Sequence, residues 1–174
     1  MTLEHLWAGW RNEYVARASV ANRPGGSLSD DGGCVFCRIL ESGPPSAENG
    51  IVWRDDLACA LLNAYPYTTA HLLVMPVRHL GELNELSVAE STAVWETART
   101  AVEVLTAAYD PDGANIGANL GRAAGAGIPG HLHLHVLPRW SGDTNFMTAV
   151  AGVRVMPEPL EETWAKVHTA WSGD

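Results

Sequence analysis

The sequence lacks a long uninterrupted apolar run, and it is poor in basic residues. Lys and Arg together number 11 against 20 Asp and Glu, so the formal net charge is −9. Because nucleic-acid binding depends on clustered cations, we expect no nucleic-acid partner, and a polyanionic ligand would have to be held by local donors. No stretch reaches the roughly 20 apolar residues of a membrane span. Residues 1–17 mix Trp, Glu and Arg, so we expect no signal peptide, no membrane association and a cytoplasmic location.

Cysteine is also scarce. Three cysteines cannot form the disulfide framework of a small secreted domain. Two of them occur in Cys34-Val-Phe-Cys37, a spacing that is typical of half a metal site or, secondly, of a redox pair. The third, Cys59, lies in an apolar run and is predicted to be a small core residue.

At 174 residues the chain is long enough for one well-buried domain. Hydrophobic periodicity predicts strands joined by hairpins, with helices before, between and after them. This order indicates an α+β fold with a sheet of about five mainly antiparallel strands, one long helix and shorter N- and C-terminal helices. Ser87, with Glu90 three residues on, predicts a capping box at the start of the long helix. The predicted strands are 51–54, 57–63, 70–75, 115–120 and one that begins at residue 131; the predicted helices are 3–20, 37–42, 88–109 and 157–171.

Three histidines, His131, His133 and His135, alternate with apolar residues just before Pro138. On a β-strand this spacing places all three imidazoles on one face, whereas on a helix it would scatter them. We expect Pro138 to end the strand because it removes a hydrogen-bond donor. A row of imidazoles on one face is costly unless it binds a metal, a phosphate or a reacting group. The opposite, buried face of the predicted strand consists of Leu132, Leu134 and Val136.

Such a row can ligate a catalytic metal, or one imidazole can attack an electrophile while its neighbours hold the transferring group. Residues 121–130 just before it contain four glycines, and successive amides of a glycine-rich loop can form a cradle for phosphate oxygens. The loop therefore favours phosphate chemistry. Two alternatives stay open. The first is a metal-dependent hydrolase or oxygenase that uses all three histidines, although no Asp or Glu stands at the short spacing that commonly completes such a metal site. The second is a non-catalytic nucleotide-binding module.

The stretch His131-Leu-His-Leu-His-Val-Leu137 satisfies the signature of the histidine triad (HIT) family of nucleotide hydrolases and transferases, which the chain resembles from about Cys34 to Trp171. The likeness extends to His71 in Ala70-His-Leu-Leu-Val-Met-Pro76. The segments 139–147 and 155–158 resemble those of the family branch that acts on diadenosine polyphosphates. This branch includes actinobacterial diadenosine tetraphosphate phosphorylases. The resemblance implies a homodimer and a single HIT domain over 1–174, with an N-terminal helix and loop at 1–33, a core at 34–140 and a C-terminal extension with a helix at 141–174.

The resemblance also implies a mechanism. His133 would attack the α-phosphorus of an adenosine nucleotide or dinucleoside polyphosphate and form a nucleotidyl-imidazole, which water or phosphate then releases. His135 and His71 would donate hydrogen bonds to the phosphate, and Asn63 would bind the ribose. Many family members have Gln or Ser at the position of Gly127, four residues before His131. Because this chain has no side chain there, the sequence leaves undecided whether water or phosphate accepts the nucleotidyl group. The predicted phosphate cradle consists of Asn119, Gly125, Ala126 and Gly127.

A structural zinc site is the last implication of the resemblance. His79 and His131 occupy positions that look like those completing a Cys-Cys-His-His zinc site with Cys34 and Cys37 in bacterial family members. Zinc bound to His131 would hold the start of the catalytic strand two residues from His133 without touching substrate. A redox role for the two thiols is the weaker alternative, because no thioredoxin-like context surrounds them.

Overall fold

The structure is a computed structural model that describes residues 33–144 and 156–173. Within these residues, five strands form one antiparallel sheet in the order β1-β2-β3-β5-β4. The predicted α+β architecture is thus confirmed, while the predicted helix 3–20 and the loop that follows it lie outside the described residues. The strands are β1 (Ile51–Arg54), β2 (Ala58–Leu62), β3 (Leu72–Pro76), β4 (Gly113–Ala118) and β5 (Leu134–Arg139); the helices are α1 (Val35–Glu41), α2 (Val88–Tyr109) and α3 (Leu160–Ser172), with short 3₁₀ turns at Leu83–Glu85 and Arg122–Ala124.

The predicted hairpin between β1 and β2 is confirmed, and Asp55 stabilises its turn. The Asp55 carboxylate accepts the backbone N–H groups of Leu57 and Ala58, at 2.8 and 2.7 Å. Short polar side chains stabilise tight turns in this way because they bond to backbone groups two or three residues on. The turn sets the register in which Ala60 of β2 lies opposite Trp53 of β1.

Helix α2 covers one face of the sheet. It begins at the predicted capping box, in which the Ser87 hydroxyl accepts the Glu90 N–H and the Glu90 carboxylate accepts the Ser87 N–H. Helix α3 packs beside α2 and reaches β1, where the Trp164 indole N–H donates to the Ile51 carbonyl at 2.8 Å and Trp171 stacks on Trp53. The apolar side chains of α2 that are buried recur at helical spacing: Val94, Ala98, Ala101, Val104 and Leu105.

Helix α1 packs on the other face of the sheet, the face that carries the histidines. Phe36 and Leu40 of α1 belong to a small apolar cluster with side chains of β2 and β3. The cluster includes Cys59, which is fully buried, so its predicted core position is confirmed. The short helix starts at Val35, two residues before the predicted start, and ends at Glu41.

The histidine strand differs from its prediction at both ends. It begins at Leu134 instead of residue 131, because β3 pairs with β5 only through Leu72, Leu73 and Val74, and the Pro76 carbonyl further along β3 accepts from the His131 ring. The prediction that Pro138 ends the strand is wrong. Beyond Val136, β5 pairs only with β4, and that pairing continues through Pro138 to Arg139; proline is tolerated where a strand has a neighbour on one side only.

Strand β4 is one of the two edge strands of the sheet, the other being β1, and it starts and ends two residues earlier than predicted. All six of its residues, Gly113–Ala118, are exposed to solvent. Among the described residues, no helix is sufficiently long and hydrophobic to span a bilayer.

Candidate active site and metal centre

The predicted catalytic histidines lie together between two neighbouring strands. His71 directly precedes β3, and His135 lies on β5 opposite Leu73. The ring centroids of His71 and His135 are 5.0 Å apart, and those of His133 and His135 are 5.1 Å apart. All three side chains are buried, with exposed fractions of 1%, 7% and 8% for His71, His133 and His135. The three imidazoles therefore form one desolvated group at the centre of the sheet.

The central histidine, His133, is held in one tautomer. Its Nδ1 lies 2.7 Å from the backbone carbonyl oxygen of His131. A carbonyl only accepts, so the proton resides on Nδ1, and the lone pair of Nε2 is available to react. Burial lowers the pKa of His133, although the bond to the His131 carbonyl opposes this shift. The net lowering of the pKa favours the neutral imidazole at pH 7, and the bond to the His131 carbonyl leaves its Nε2 unprotonated.

The tautomer of His71 follows from two donors on its Nδ1. The Tyr67 backbone N–H donates to this nitrogen at 3.1 Å, and the Asn63 side-chain amide lies at the same distance. The Asn63 amide is oriented by the Tyr65 N–H, which donates to its Oδ1 at 3.0 Å. With Nδ1 accepting, the His71 proton must be on Nε2. Asn63 thus contacts His71, and its binding of ribose stays a prediction.

This proton orients His135 in turn. His71 Nε2 donates to His135 Nδ1 at 2.9 Å, so the proton of His135 is on Nε2. The side-chain nitrogen of Asn119 lies 3.3 Å from this Nε2; both groups are donors, so they do not bond to each other and both can donate to a third group. Burial, and secondarily the neighbouring His133, lowers the pKa of His135 to about 4. At neutral pH His135 therefore presents an uncharged N–H donor beside His133.

Two aromatic residues at the site were not predicted. The ring of Tyr67 lies nearly parallel to that of His135, with centroids 5.5 Å apart and planes at 19°, and contacts His71 at 4.6 Å. Phe36 contacts His133 from the opposite side, through α1, at a centroid distance of 5.2 Å. Tyr67 lies in the turn between Asn63 and His71, and this proximity was the one signal in the sequence that could have identified it.

The glycine-rich loop before the histidines makes two turns that require glycine. Gly121 and Gly125 have φ values of +74° and +98° on either side of a short 3₁₀ turn, a region that other residues rarely adopt. Ala126 after them is buried, and the loop leads through Gly127 to the metal group. Asn119, which contacts His135, lies just before this loop in the chain. Phosphate binding by Asn119, Gly125, Ala126 and Gly127 stays a prediction.

The four predicted metal ligands converge at the start of the histidine segment. One ligand atom from each of Cys34, Cys37, His79 and His131 lies within 4.8 Å of the others. His131 Nε2 donates to the Pro76 carbonyl at 2.9 Å, which leaves the Nδ1 lone pair directed to the two sulfur atoms at 3.5 and 3.7 Å. A metal-binding histidine needs this arrangement, with one nitrogen held by a carbonyl and the other unprotonated.

An ion pair holds the segment that carries His79. The neighbouring Arg78 donates to both carboxylate oxygens of Glu90, at 2.6 and 2.9 Å, and Glu90 belongs to the capping box at the start of α2. This pair holds the pKa of Glu90 at about 2. On the other side of His79, the Leu80 carbonyl accepts the Leu132 N–H at 2.7 Å. The segment is therefore attached both to α2 and to the histidine segment.

A large cavity opens beside the histidines. It has a volume of about 740 Å³ and begins at Tyr67 and at Leu137, which follows His135 on the same strand face. Its walls contain two cationic side chains, each paired with a carboxylate: Arg139 with Asp143, and Lys166 with Glu158. Aromatic side chains, Tyr109 and Trp140, complete the walls. Such a combination of aromatic and paired charged groups suits a ligand that is itself aromatic and charged.

Comparison with known proteins agrees with this geometry. The family model described as HIT domain matches residues 45–142. An AP-4-A phosphorylase of Mycobacterium tuberculosis is 39% identical over 171 residues, which cover 98% of this chain and 85% of that protein. An asymmetrical bis(5'-nucleosyl)-tetraphosphatase of Schizosaccharomyces pombe is 31% identical over 93 residues, covering 53% of this chain and 50% of that protein. The crystal structure of a Zn-bound histidine triad family protein from Mycobacterium smegmatis superposes with a TM-score of 0.65 at 27% identity, covering 80% of this chain and 94% of that one.

Proposed function

The chain belongs to the HIT domain family, as its sequence predicted, and on this basis we propose that it is an enzyme that cleaves dinucleoside polyphosphates such as diadenosine tetraphosphate. Cleavage occurs at the α-phosphate through a nucleotide covalently attached to His133. The observation that carries the proposal is the 2.7 Å hydrogen bond between His133 Nδ1 and the His131 carbonyl. It leaves Nε2 as a neutral nucleophile inside a buried group of hydrogen-bond donors.

The reaction proceeds in two displacements. His133 Nε2 forms a bond to the α-phosphorus while the bond from that phosphorus to its bridging oxygen breaks, and the electron pair leaves with the remaining polyphosphate. Water or inorganic phosphate then attacks the same phosphorus, and the electron pair of the N–P bond returns to Nε2. Two displacements by good nucleophiles replace one difficult step, while fixed donors stabilise the charge on the equatorial oxygens.

His135 supplies the donor closest to the transferring phosphate. Its Nε2–H faces the same side as Asn119 and lies next to the nucleophile. His71 acts through His135, because its own Nε2–H is used in the bond to His135 Nδ1. This differs from the direct contact with phosphate that the family resemblance implied for His71. The preset donors need no reorganisation during the reaction, and such donors are effective in a desolvated site.

The cavity beside Tyr67 supports a substrate with two nucleosides. A mononucleotide would occupy only the histidine group and the Asn63 side of the site, whereas a dinucleoside polyphosphate extends beyond it in both directions. The cavity follows His135 along β5, and its volume of about 740 Å³ lies within the range of ligand sites. In our proposal it receives the departing nucleoside, with Trp140 and Tyr109 beside the base and Arg139 beside the polyphosphate.

The proposed enzyme also holds a structural zinc ion. Two thiols and two imidazoles, one with its unprotonated nitrogen directed to both sulfurs, fit a tetrahedral zinc site. Bound there, zinc would neutralise the thiolates and connect α1 to the segment after β3; it would not contact the substrate. The ligands are Cys34, Cys37, His79 and His131.

We further propose a cytoplasmic homodimer. The exposed edge strand β4 supports the dimer, since an edge strand offers unpaired backbone groups to a second copy. Ile116 on β4 and Trp95 on α2 are 42% and 52% exposed, so both elements offer apolar surface to a second copy. The three cysteines form no disulfide, and two of them are the proposed zinc ligands, which fits a reducing compartment.

A metal-dependent hydrolase that uses all three triad histidines is the less favoured function. Over residues 33–144 and 156–173, the group of Cys34, Cys37, His79 and His131 is the one set of side chains arranged to bind a metal. The Nδ1 atoms of His133 and His135 are already used by the His131 carbonyl and by His71. The three rings therefore do not present a common set of lone pairs.

The function is tested by a turnover assay with diadenosine tetraphosphate, with and without inorganic phosphate, in which AMP, ADP and ATP are separated. Attack by water on the adenylate gives AMP and ATP, while attack by phosphate gives ADP and ATP, so the products identify the acceptor. We expect His133→Ala to abolish turnover and to retain nucleotide binding by calorimetry. The matched control is His168→Gln, because His168 lies on α3 and bonds to the Val52 carbonyl, away from the site.

Two results would contradict the proposal. Unimpaired turnover by His133→Ala would exclude His133 as the nucleophile. Tight nucleotide binding with no turnover by the unmodified enzyme, in either condition, would favour the non-catalytic binding module. An adenylated protein trapped by rapid acid-free quenching, with the nucleotide mapped to His133, would support the covalent step directly.

A further inference from the structure

Two of the groups that contact the ring of His133 come from the segments that carry the proposed metal ligands. The first is the backbone carbonyl of His131, which accepts the His133 Nδ1–H; the imidazole of the same residue is a proposed metal ligand. The second is the ring of Phe36, which lies between Cys34 and Cys37 in the sequence and contacts His133 edge to face at 5.2 Å, with the planes at 65°. The orientation of the proposed nucleophile thus depends on parts of the chain that metal binding would hold together.

Helix α1 is poorly stabilised without such a connection. It has seven residues, its N-cap Cys34 makes no side-chain capping bond, and its first turn contains no acidic residue. Helices this short have little stability of their own, and a missing cap leaves the first N–H groups without acceptors. A metal that binds Cys34 and Cys37 would close the first turn, since these residues are three apart and face the same side.

Phe36 is well placed to transmit that constraint. It is 5% exposed and contacts both histidines, His131 at 5.6 Å and His133 at 5.2 Å. Any loosening of the Cys34–Cys37 turn moves Phe36 directly, because it is one residue from one ligand and two from the other. Of the two contacts that join His133 to the metal-ligand segments, the His131 carbonyl belongs to the backbone, whereas Phe36 contributes a side chain that can be exchanged.

We propose that Phe36 is a positioning residue through which metal binding at Cys34 and Cys37 fixes the ring of His133 for attack. The metal is then a control on the nucleophile as well as a structural cross-link. This inference rests on the proposed function of His133, since it concerns the orientation of that nucleophile. It is otherwise independent of which acceptor completes the reaction.

The test observes the imidazole itself. Protein labelled with ¹⁵N in histidine is compared by long-range ¹H–¹⁵N NMR in the zinc-loaded state and after removal of zinc by a chelator, with His133 assigned from the spectrum of His133→Gln. We expect a single Nδ1–H tautomer with sharp signals in the zinc-loaded protein, and broadened, averaged signals in the metal-free protein. Zinc-loaded Phe36→Leu should give the averaged signals although its zinc content is unchanged.

The matched control is Leu40→Ala. Leu40 lies one turn further along α1, is also 5% exposed and belongs to the same apolar cluster, but it is farther from the thiols. We expect its zinc-loaded His133 signals to equal those of the unmodified protein. Phe36→Tyr, which keeps the ring, should restore the sharp signals that Phe36→Leu loses.

Kinetics supply a second readout. Loss of orientation should lower kcat of zinc-loaded Phe36→Leu by roughly tenfold with KM within about twofold, since misalignment of a nucleophile affects the reaction step. A raised KM at unchanged kcat would instead assign Phe36 to substrate binding and overturn the proposal. So would sharp His133 signals in zinc-loaded Phe36→Leu. If that variant does not fold, the comparison of loaded and metal-free protein decides: identical His133 signals refute the coupling.

Failure of this inference can be distinguished from failure of the proposed function. The NMR comparison needs no turnover, so it can support the coupling even if His133→Ala proves active. Conversely, an inactive His133→Ala together with metal-independent His133 signals would leave the nucleophile in place and remove the role of Phe36.

Discussion

Replacing Gly81 by alanine should impair the enzyme although Gly81 is not one of the proposed site residues. Gly81 follows the segment that carries His79, and its backbone lies directly against the glycine-rich loop. A Cβ atom at Gly81 would lie 2.9 Å from the Pro129 carbonyl oxygen and 3.4 Å from the Gly130 Cα. Non-bonded heavy atoms approach comfortably only to about 3.5 Å. The contact atoms belong to the backbone, so the loop has to shift.

The size of the effect follows from this clash. Relief requires a separation of roughly half an ångström, since the favourable distance is about 3.5 Å, and overpacking of this kind costs about 1–3 kcal/mol. The shift pulls on the bond between the Leu80 carbonyl and the Leu132 N–H, at present 2.7 Å, and displaces the start of the histidine segment. A misplacement of about 1 Å at a reacting centre can reduce the rate about 100-fold, so half of that distance predicts a loss of roughly tenfold in kcat/KM.

The assay is steady-state turnover of diadenosine tetraphosphate by Gly81→Ala, together with thermal unfolding. Gly113→Ala is the control, because a Cβ atom at Gly113 on β4 meets nothing within 4 Å. We expect the control to match the unmodified enzyme in both measurements. Wild-type kcat/KM and an unchanged melting temperature in Gly81→Ala would refute the reasoning, because they would show that the loop gives way without displacing the histidines.

Three further predictions concern stability and metal binding. In the folded protein the pKa of His135 is lowered from 6.5 to about 4, so as the pH falls the unfolded chain binds a proton at this residue before the folded chain does. The free energy of unfolding, measured in urea, should therefore decrease between pH 6.5 and 4. A free energy of unfolding that stays constant over this range would contradict the prediction. Ser87→Ala removes the acceptor of the Glu90 N–H and should lower the free energy of unfolding by about 1 kcal/mol without affecting kcat, whereas an unchanged denaturation midpoint would show that the cap contributes nothing. Cys59→Ala should retain the zinc content measured by atomic absorption, whereas Cys37→Ser should lose it, and equal zinc in both variants would exclude the proposed site.

Patterns of short range in the sequence were sufficient for much of the fold. The capping box of Ser87 and Glu90 predicted where α2 begins, and the turn at Asp55 predicted the β1–β2 hairpin. Both depend on hydrogen bonds between residues two or three apart, which leave a local signature. The alternation of the three histidines with apolar residues predicted a buried face on the opposite side, and these apolar residues are buried.

The ends of the histidine strand could not be predicted in the same way. Its start depends on the Pro76 carbonyl, 55 residues earlier in the chain, which bonds to the His131 ring instead of continuing the ladder. Its end depends on which neighbour β5 has beyond Val136, and proline is tolerated there because only β4 remains. Strand boundaries of this kind are set by neighbouring strands and not by the residues of the strand itself.

Residue types and their spacing were enough to identify the candidate nucleophile, the thiol pair and the family of the chain, because each leaves a compact motif. The direction of the hydrogen bonds at the site required the folded chain. His71 and His135 are 64 residues apart, and the donor and acceptor roles of their rings follow from the Tyr67 N–H on the turn just before His71. The contact of Phe36 with His133 likewise joins segments nearly 100 residues apart. Long-range contacts of this kind decide which tautomer each histidine adopts and how the metal group is joined to the nucleophile, since only packing brings those atoms within bonding distance.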